Sequence, residues 1–176
     1  MPKEQLKARP GKAVKDVDRS KARKAHLDSQ KKAILGWFVS AEKRVASIKS
    51  ESQMTSIEKM DVTRKGISKN ALEQLKDKSG FDYDQLSWIL GVARTTLLNK
   101  KGTDKFPPSL SEKIMSLADL YSFGYEIFGS PEEFNQWIFQ SLPALGGKAP
   151  YAFLDNQYGR EEIRNLIGRI AYGVYS

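Results

Sequence analysis

Apolar residues recur along this chain at intervals of three and four, which is the spacing of one face of an α-helix. In residues 109–128 these positions are Leu110, Ile114, Leu117, Tyr121, Gly124 and Phe128. In residues 159–176 they are Ile163, Leu166, Ile167, Ile170 and Val174. No segment shows the strict alternation that is typical of a strand. The chain is therefore predicted to be all-α.

Local start and stop signals divide the middle of the chain into shorter helices. Ser68 is predicted to cap the first of them, and Asp82 with Gln85 forms a capping box for the second. The second helix ends at Gly91, where the turn requires a positive φ, and a third helix is predicted over residues 92–101. This region is thus expected to hold three short helices joined by tight turns.

Other signals are predicted to interrupt or to open helices. Residues 47–60 are expected to be a polar connector with some helical character, and Pro107 and Pro108 to break the chain in a loop. Ser130 is predicted to cap the helix that follows the long one. Gly159 is expected to act as a breaker and to open the terminal helix.

The formal net charge of +8 is concentrated in the N-terminal third. Residues 1–60 contain 15 Lys and Arg against 7 Asp and Glu, whereas residues 61–176 contain 14 of each kind. Residues 1–24 have almost no apolar periodicity and are predicted to be a disordered basic arm. Residues 26–49 carry a near-heptad apolar stripe, which predicts an amphipathic helix that packs on the body or on a second copy. A basic arm such as residues 1–24 is typical of a nucleic-acid contact or of a solvated tail.

Residues 83–97 have the spacing of a helix–turn–helix, a motif that places its second helix in the major groove of DNA. Arg94 suits a guanine edge and Asn99 an adenine edge, and cations without an acid from residue 93 to residue 101 favour a phosphate backbone. The DNA-binding residues predicted on this basis are Arg94, Thr95, Thr96, Asn99, Lys100 and Lys101. The alternative interpretation is a pair of ordinary packed helices.

The residue types that catalysis needs are scarce in this sequence. The chain has no cysteine, which excludes disulfides and thiolate metal sites and agrees with a reducing cytoplasm. His26 is the one histidine, and no carboxylate pair at ligand spacing accompanies it. The sequence has neither an apolar run of membrane length nor a signal peptide. We therefore expect a cytoplasmic, non-enzymatic protein without a metal or a cofactor.

The final residues are aromatic and apolar, whereas most chain ends are polar. They are Tyr172, Gly173, Val174, Tyr175 and Ser176. Such a tail is expected to be bound, either to its own core or in a pocket of a partner.

Residues 128–176 resemble the C-terminal toxin-binding domain of the Xre–ParS-type (MbcA-like) antitoxins. The residues that carry this resemblance are Trp137, Leu145-Gly146-Gly147, Pro150, Leu154, Gly159 and Tyr172-Gly173. Lys65-Gly66-Ile67 and Thr96-Leu97 also match the family, so the resemblance covers residues 64–176. Thr95 departs from the family pattern, in which an arginine often precedes the Thr-Leu pair.

The resemblance implies an antitoxin that pairs with a RES-domain toxin, which depletes cellular NAD⁺. The C-terminal end of such an antitoxin is expected to occlude the active site of the toxin, and many of these proteins dimerise and repress their own operon by binding operator DNA. The toxin-binding residues expected here are Arg169, Tyr172, Gly173, Val174, Tyr175 and Ser176, the last through its free carboxylate.

Four domains follow from these predictions. They are a basic arm (1–24), an amphipathic helix with a connector (25–60), a helix–turn–helix domain for DNA binding and dimerisation (61–129), and a toxin-binding domain (130–176). The alternative function is that of a stand-alone helix–turn–helix transcriptional regulator with a C-terminal dimerisation module.

Overall fold

The computed structural model describes residues 50–172, and this part of the chain is built from α-helices. Two isolated antiparallel bridges occur within it, and no strand forms among these residues. The helices are α1 (Ser56–Lys65), α2 (Lys69–Ser79), α3 (Tyr83–Leu90), α4 (Arg94–Leu98), α5 (Pro108–Phe128), α6 (Pro131–Trp137) and α7 (Gln157–Ala171). Short 3₁₀ turns cover Glu51–Gln53, Pro143–Leu145 and Pro150–Phe153. The predicted all-α fold is confirmed, and the predictions for residues 1–49 and 173–176 lie outside the described residues.

The long helix α5 is the centre of the described part, because α1, α2, α3, α6 and α7 all pack against it. Its predicted apolar seam is confirmed, since Leu110, Ile114, Leu117 and Tyr121 are buried. The ring of Tyr121 lies 5.1 Å from that of Phe134 in an edge-to-face contact, which ties α6 to the same seam. Helices on both sides of α5 in the sequence therefore share one hydrophobic core.

Three predicted helix starts are confirmed. The hydroxyls of Ser68 and Ser130 each accept a hydrogen bond from a backbone N–H in the first turn of α2 and of α6. Asp82 and Gln85 cap α3 reciprocally, with hydrogen bonds of 2.7 and 2.9 Å. These bonds satisfy N–H groups that have no partner within their own helix.

The helical character expected within residues 47–60 is confirmed, since α1 begins inside them, but the segment is not a mere connector because α1 packs on α5. The hydroxyl of Thr55 accepts a hydrogen bond from the N–H of Glu58, and the carboxylate of Glu58 accepts one from the N–H of Thr55. Further along α1, Lys59 Nζ lies 2.8 Å from Asp119 Oδ1 on α5. The helix is held by a capping box and an ion pair, which an apolar pattern does not reveal.

Two residues that were predicted to break the chain lie inside helices. Pro108 is the first residue of α5, where proline has no helical hydrogen bond to lose. Gly159 is the third residue of α7, which begins at Gln157 after the capping residue Asn156. A Cβ added to Gly159 would lie 2.8 Å from the carbonyl carbon of Phe153. Glycine at this position thus permits close packing of α7 on the preceding 3₁₀ turn instead of ending a helix.

Candidate functional site

The helices α3 and α4 form the predicted helix–turn–helix. Gly91 has a φ of 62° at the turn, a left-handed conformation that glycine adopts without strain. The apolar residues Leu86, Leu90 and Leu97 are fully buried, as the spacing predicted. Lys113 of α5 donates from Nζ to the carbonyl oxygen of Leu90 at 2.9 Å, so a cation satisfies the C-terminal end of α3. The motif is therefore fixed to the core through both of its helices.

The second helix of the motif is shorter than the prediction over residues 92–101. It covers Arg94–Leu98, and Asn99 caps its C-terminal end. The backbone N–H of Lys101 then donates to Asp104 Oδ2 at 3.0 Å, which stabilises a turn in place of a further helical turn. The predicted extension of the helix to Lys101 is wrong for this reason.

The predicted DNA-binding residues lie along α4 and directly after it, on the surface. Five of them are exposed and one, Lys100, is half-buried. The exposed ones are Arg94, Thr95, Thr96, Asn99 and Lys101. The structure thus brings the six together, and their contact with DNA stays a prediction.

Arg94 has a partner that the sequence reasoning did not name. Its Nη1 donates to both carboxylate oxygens of Asp84, at 3.1 and 3.0 Å. The two side chains are 54% and 69% exposed, so solvent reaches both ends of the pair. Because the pair forms between α3 and α4 across the turn, no helical spacing indicates it.

A buried lysine fixes the far end of α4. Lys69, at the start of α2, donates from Nζ to the hydroxyl of Tyr83 at 2.6 Å and to the carbonyl oxygen of Leu97 at 3.0 Å. Nζ also lies 4.2 Å from the centre of the Tyr83 ring. The ammonium group therefore connects α2, α3 and α4. Nothing in the sequence indicates this role for a lysine at the start of a helix.

The terminal helix α7 has one buried face and one exposed face. Ile163, Leu166 and Ile167 lie in the core, as predicted. The opposite face consists of exposed side chains at intervals of four, three, four and three residues. These are Tyr158, Glu162, Asn165, Arg169 and Tyr172, which we call the α7 outer face.

Two tyrosines stand at the ends of the α7 outer face. Tyr158 is 83% exposed and Tyr172 is 86% exposed, which is unusual for rings of this size. Between them, Arg169 Nη2 donates to Glu162 Oε1 at 3.2 Å. Two of the predicted toxin-binding residues, Arg169 and Tyr172, therefore lie on one surface, while residues 173–176 lie outside the described residues. Tyr158 was missed because the terminal helix was predicted to start after it.

Buried polar contacts hold α7 in place. Arg160 Nε donates to Ser116 Oγ of α5 at 3.0 Å, and its Nη1 donates to the carbonyl oxygen of Leu154 at 2.7 Å. Burial lowers the pKa of this guanidinium below its ordinary value. One turn later, Arg164 Nη1 donates to Asp119 Oδ2 at 3.1 Å. The α7 outer face is thus carried on a helix that is fixed to α5 along its length.

Three aromatic rings form an exposed cluster between α3 and the segment after α6. Trp88 stacks on Tyr151 at 5.0 Å, and Phe139 lies 5.2 Å from Tyr151. Trp88 and Phe139 are still 44% and 45% exposed. Phe134 and Trp137 on α6 are buried, whereas Phe139 follows the end of α6 on the surface.

Within residues 50–172, no group of acidic or histidine side chains could hold a metal ion. No helix in the same range is long and apolar enough to cross a bilayer.

Two family models match the two halves of this helical part. The model for the antitoxin Xre-like helix-turn-helix domain matches residues 59–119, and the model for the antitoxin Xre/MbcA/ParS C-terminal toxin-binding domain matches residues 124–173. The first match contains α4, and the second contains the α7 outer face.

Curated relatives agree with these matches. The chain is 27% identical over 131 residues to the Prs ADP-ribosylating antitoxin of Sphingobium sp. (strain YBL2), covering 68% of this chain and 82% of that protein. It is 25% identical over 117 residues to the antitoxin Xre of Photorhabdus laumondii subsp. laumondii, covering 65% and 79%. It is 23% identical over 119 residues to the antitoxin Xre of Yersinia enterocolitica, covering 66% and 80%. With both of its domain models matched in order over more than half of its length, the chain belongs to the Xre/ParS-type antitoxin family.

Proposed function

We propose that this protein neutralises a cognate toxin by direct binding, and that the α7 outer face and the residues after it cover the active site of the toxin. The observation that carries the proposal is the pair of exposed tyrosines, Tyr158 and Tyr172, on a helix whose other face is buried. They are separated by fourteen residues, which corresponds to roughly 21 Å along a helix. Aromatic anchors at that separation suit a partner surface better than a small ligand.

The partner that the resemblance favours is a RES-domain toxin that consumes NAD⁺. A site for NAD⁺ must bind a pyrophosphate, and cationic side chains are the usual means. We propose that the residues from Gly173 to Ser176 enter this site. Arg169 and Tyr172 then contact the rim of the site from the last turn of α7.

The test is to delete residues 172–176 and to measure binding to the purified toxin and protection of cells that express it. The core contacts of α7 end before Tyr172, so the shortened protein is expected to fold, to bind at least tenfold more weakly and to fail to protect. Ile57→Ala is the matched control, since it removes an exposed apolar side chain from α1 and is expected to change neither measurement. A folded, shortened protein that still protects would show that the tail does not block the toxin.

A second candidate for the chemistry of the toxin comes from the name of the Sphingobium relative, which contains the word ADP-ribosylating. In both candidates the bond between nicotinamide and ribose breaks. Attack by water releases nicotinamide and free ADP-ribose, whereas attack by a protein side chain leaves the ADP-ribose on that protein. Incubation of the toxin with NAD⁺ labelled in the adenosine part distinguishes them, because the label appears either in a small molecule or in a protein band. The antitoxin is expected to suppress either labelled product in proportion to the fraction of toxin that it has bound.

We also propose that residues 61–129 bind operator DNA as a homodimer and repress the operon of the protein, while residues 130–176 bind the toxin. The match to a helix-turn-helix model and the cations on and after α4 support this division. The alternative is a stand-alone regulator whose C-terminal part only dimerises. Co-purification with the product of the adjacent gene, followed by mass measurement, separates the two, because a stand-alone regulator yields no second chain.

The basic arm predicted over residues 1–24 gives this proposal a further test. Removal of the arm is expected to weaken operator binding and to flatten its salt dependence, because fewer phosphates are neutralised. Toxin binding is expected to stay the same. Unchanged operator affinity in a gel-shift titration would contradict a role for the arm on DNA.

A further inference from the structure

An acidic side chain lies on the surface that is proposed to bind DNA. Asp84 is largely exposed, and both of its oxygens contact Arg94 Nη1 at the first position of α4. A carboxylate close to a phosphate backbone opposes binding, since both groups are negative. Through charge alone, this surface would bind DNA more tightly without Asp84. The residue lies in the first turn of α3, where an acid favours the helix dipole, and it also contacts Arg94 across the turn.

The contact uses one edge of the guanidinium and leaves another edge available. Among the described residues, Arg94 makes hydrogen bonds to Asp84 alone, and both involve Nη1. Nε and Nη2 lie side by side on a different edge and keep their N–H donors. Two parallel donors match the O6 and N7 acceptors of guanine in the major groove. The ion pair also restricts the rotation of a long side chain that is otherwise exposed.

We infer that Asp84 is a positioning residue for base readout, which holds Arg94 so that its Nε–Nη2 edge meets a guanine. This inference rests on the proposed operator binding. A positioning role for Asp84 has a consequence that a plain surface ion pair does not have. Loss of Asp84 lowers discrimination between guanine and other bases and, at the same time, strengthens binding to DNA of any sequence.

The experiment is a binding selection from a randomised DNA duplex library, followed by competition titrations against a scrambled duplex. The variants are Asp84→Ala, Arg94→Ala and Arg94→Lys, which keeps the charge but lacks the planar fork. Glu161→Ala on α7 is the matched control, because it removes an equal charge from an exposed side chain outside the motif. Circular dichroism checks that each variant folds, as expected for changes at exposed positions.

The wild-type protein is expected to enrich a motif with a guanine that Arg94→Ala no longer selects. Asp84→Ala is expected to lower the preference for that guanine about tenfold and to bind the scrambled duplex about threefold more tightly. Arg94→Lys is expected to keep the affinity for the scrambled duplex and to lose the preference, and Glu161→Ala to match the wild type.

Two results would overturn the inference and leave operator binding intact. One is an unchanged guanine preference in Asp84→Ala, and the other is an unchanged preference in Arg94→Ala. If the wild-type protein enriched no motif, sequence-specific DNA binding itself would fail, and the inference with it.

Discussion

The substitution Gly159→Ala is expected to destabilise this protein, although alanine forms helices better than glycine. A Cβ at this position would lie 2.8 Å from the carbonyl carbon of Phe153, and its oxygen is nearer still. A backbone carbonyl cannot rotate away as the end of a flexible side chain does. The 3₁₀ turn Pro150–Phe153 and the start of α7 must therefore move apart, which disturbs the packing of both on the core.

The size of the effect follows from two opposing contributions. Overpacking of a close contact costs about 1–3 kcal/mol, and a contact with backbone belongs near the upper end of that range. Replacement of glycine by alanine inside a helix stabilises it by about 1 kcal/mol. The free energy of unfolding is thus expected to fall by about 2 kcal/mol in Gly159→Ala.

The same helix supplies a matched control. A Cβ added to Gly168 would meet no atom within 4 Å, so Gly168→Ala is expected to raise the free energy of unfolding by about 1 kcal/mol. Both substitutions restrict the unfolded chain equally. The difference of about 3 kcal/mol between the two variants therefore measures the contact between Gly159 and Phe153.

Urea denaturation gives the free energies, and the slope against urea should stay constant if the variants expose the same surface on unfolding. In thermal denaturation, the difference corresponds to about 12 °C between the two midpoints for a folded part of this size. Equal shifts in Gly159→Ala and Gly168→Ala would refute the close approach of α7 to the 3₁₀ turn.

Four further predictions concern buried polar groups. Tyr125→Phe is expected to cost about 1–2 kcal/mol in urea denaturation, because its hydroxyl donates to a carbonyl at the end of α2 at 2.9 Å. Tyr121→Phe is expected to cost less than about 0.5 kcal/mol, since its buried hydroxyl has no partner among the described residues. Burial raises the pKa of both tyrosines above the ordinary 10.0, so each hydroxyl holds its proton more tightly in the folded protein than in the unfolded chain. The stability that this difference contributes is fully present below pH 10 and is expected to fall as the pH rises above 10. The fall is expected to be less steep in either variant, because one of the two tyrosines is absent. Lys69→Met is expected to cost about 2 kcal/mol and to speed amide hydrogen exchange in α4, because the hydroxyl of Tyr83 and the carbonyl of Leu97 lose a buried donor.

Features that depend on neighbouring residues were predictable from the sequence. The caps at Ser68 and Asp82 use side chains within three residues of the N–H groups that they accept from, so composition and spacing were sufficient. The seam of α5 was predictable because a helix of that length must bury a continuous stripe. A capping box at Thr55 and Glu58 is also visible in the sequence and indicates α1, although the apolar pattern of this segment is weak.

Features that depend on contacts between distant segments were not predictable in the same way. The pairing of Asp84 with Arg94 requires the turn at Gly91 to bring two helices together, and neither residue is unusual at its own position. The role of Lys69 at the end of α4 arises likewise from three helices that meet around one ammonium group. A charged residue at a helix start is ordinarily solvated, so its burial could only be learned from the fold.

The candidate site on α7 shows how one element boundary changes a functional prediction. With a helix start predicted at Gly159, Tyr158 falls in a loop, and the predicted contact extends only from Arg169 to Ser176. Asn156 caps the helix, which therefore begins two residues earlier than predicted. Gly159 permits the close contact with Phe153 and does not break the helix. That shift places Tyr158 in register with Tyr172, so the proposed contact becomes a rigid helical face with an aromatic ring at each end. A toxin held by such a face is expected to lose affinity when either ring is removed, whereas a toxin held only by the tail would not respond to Tyr158→Ala.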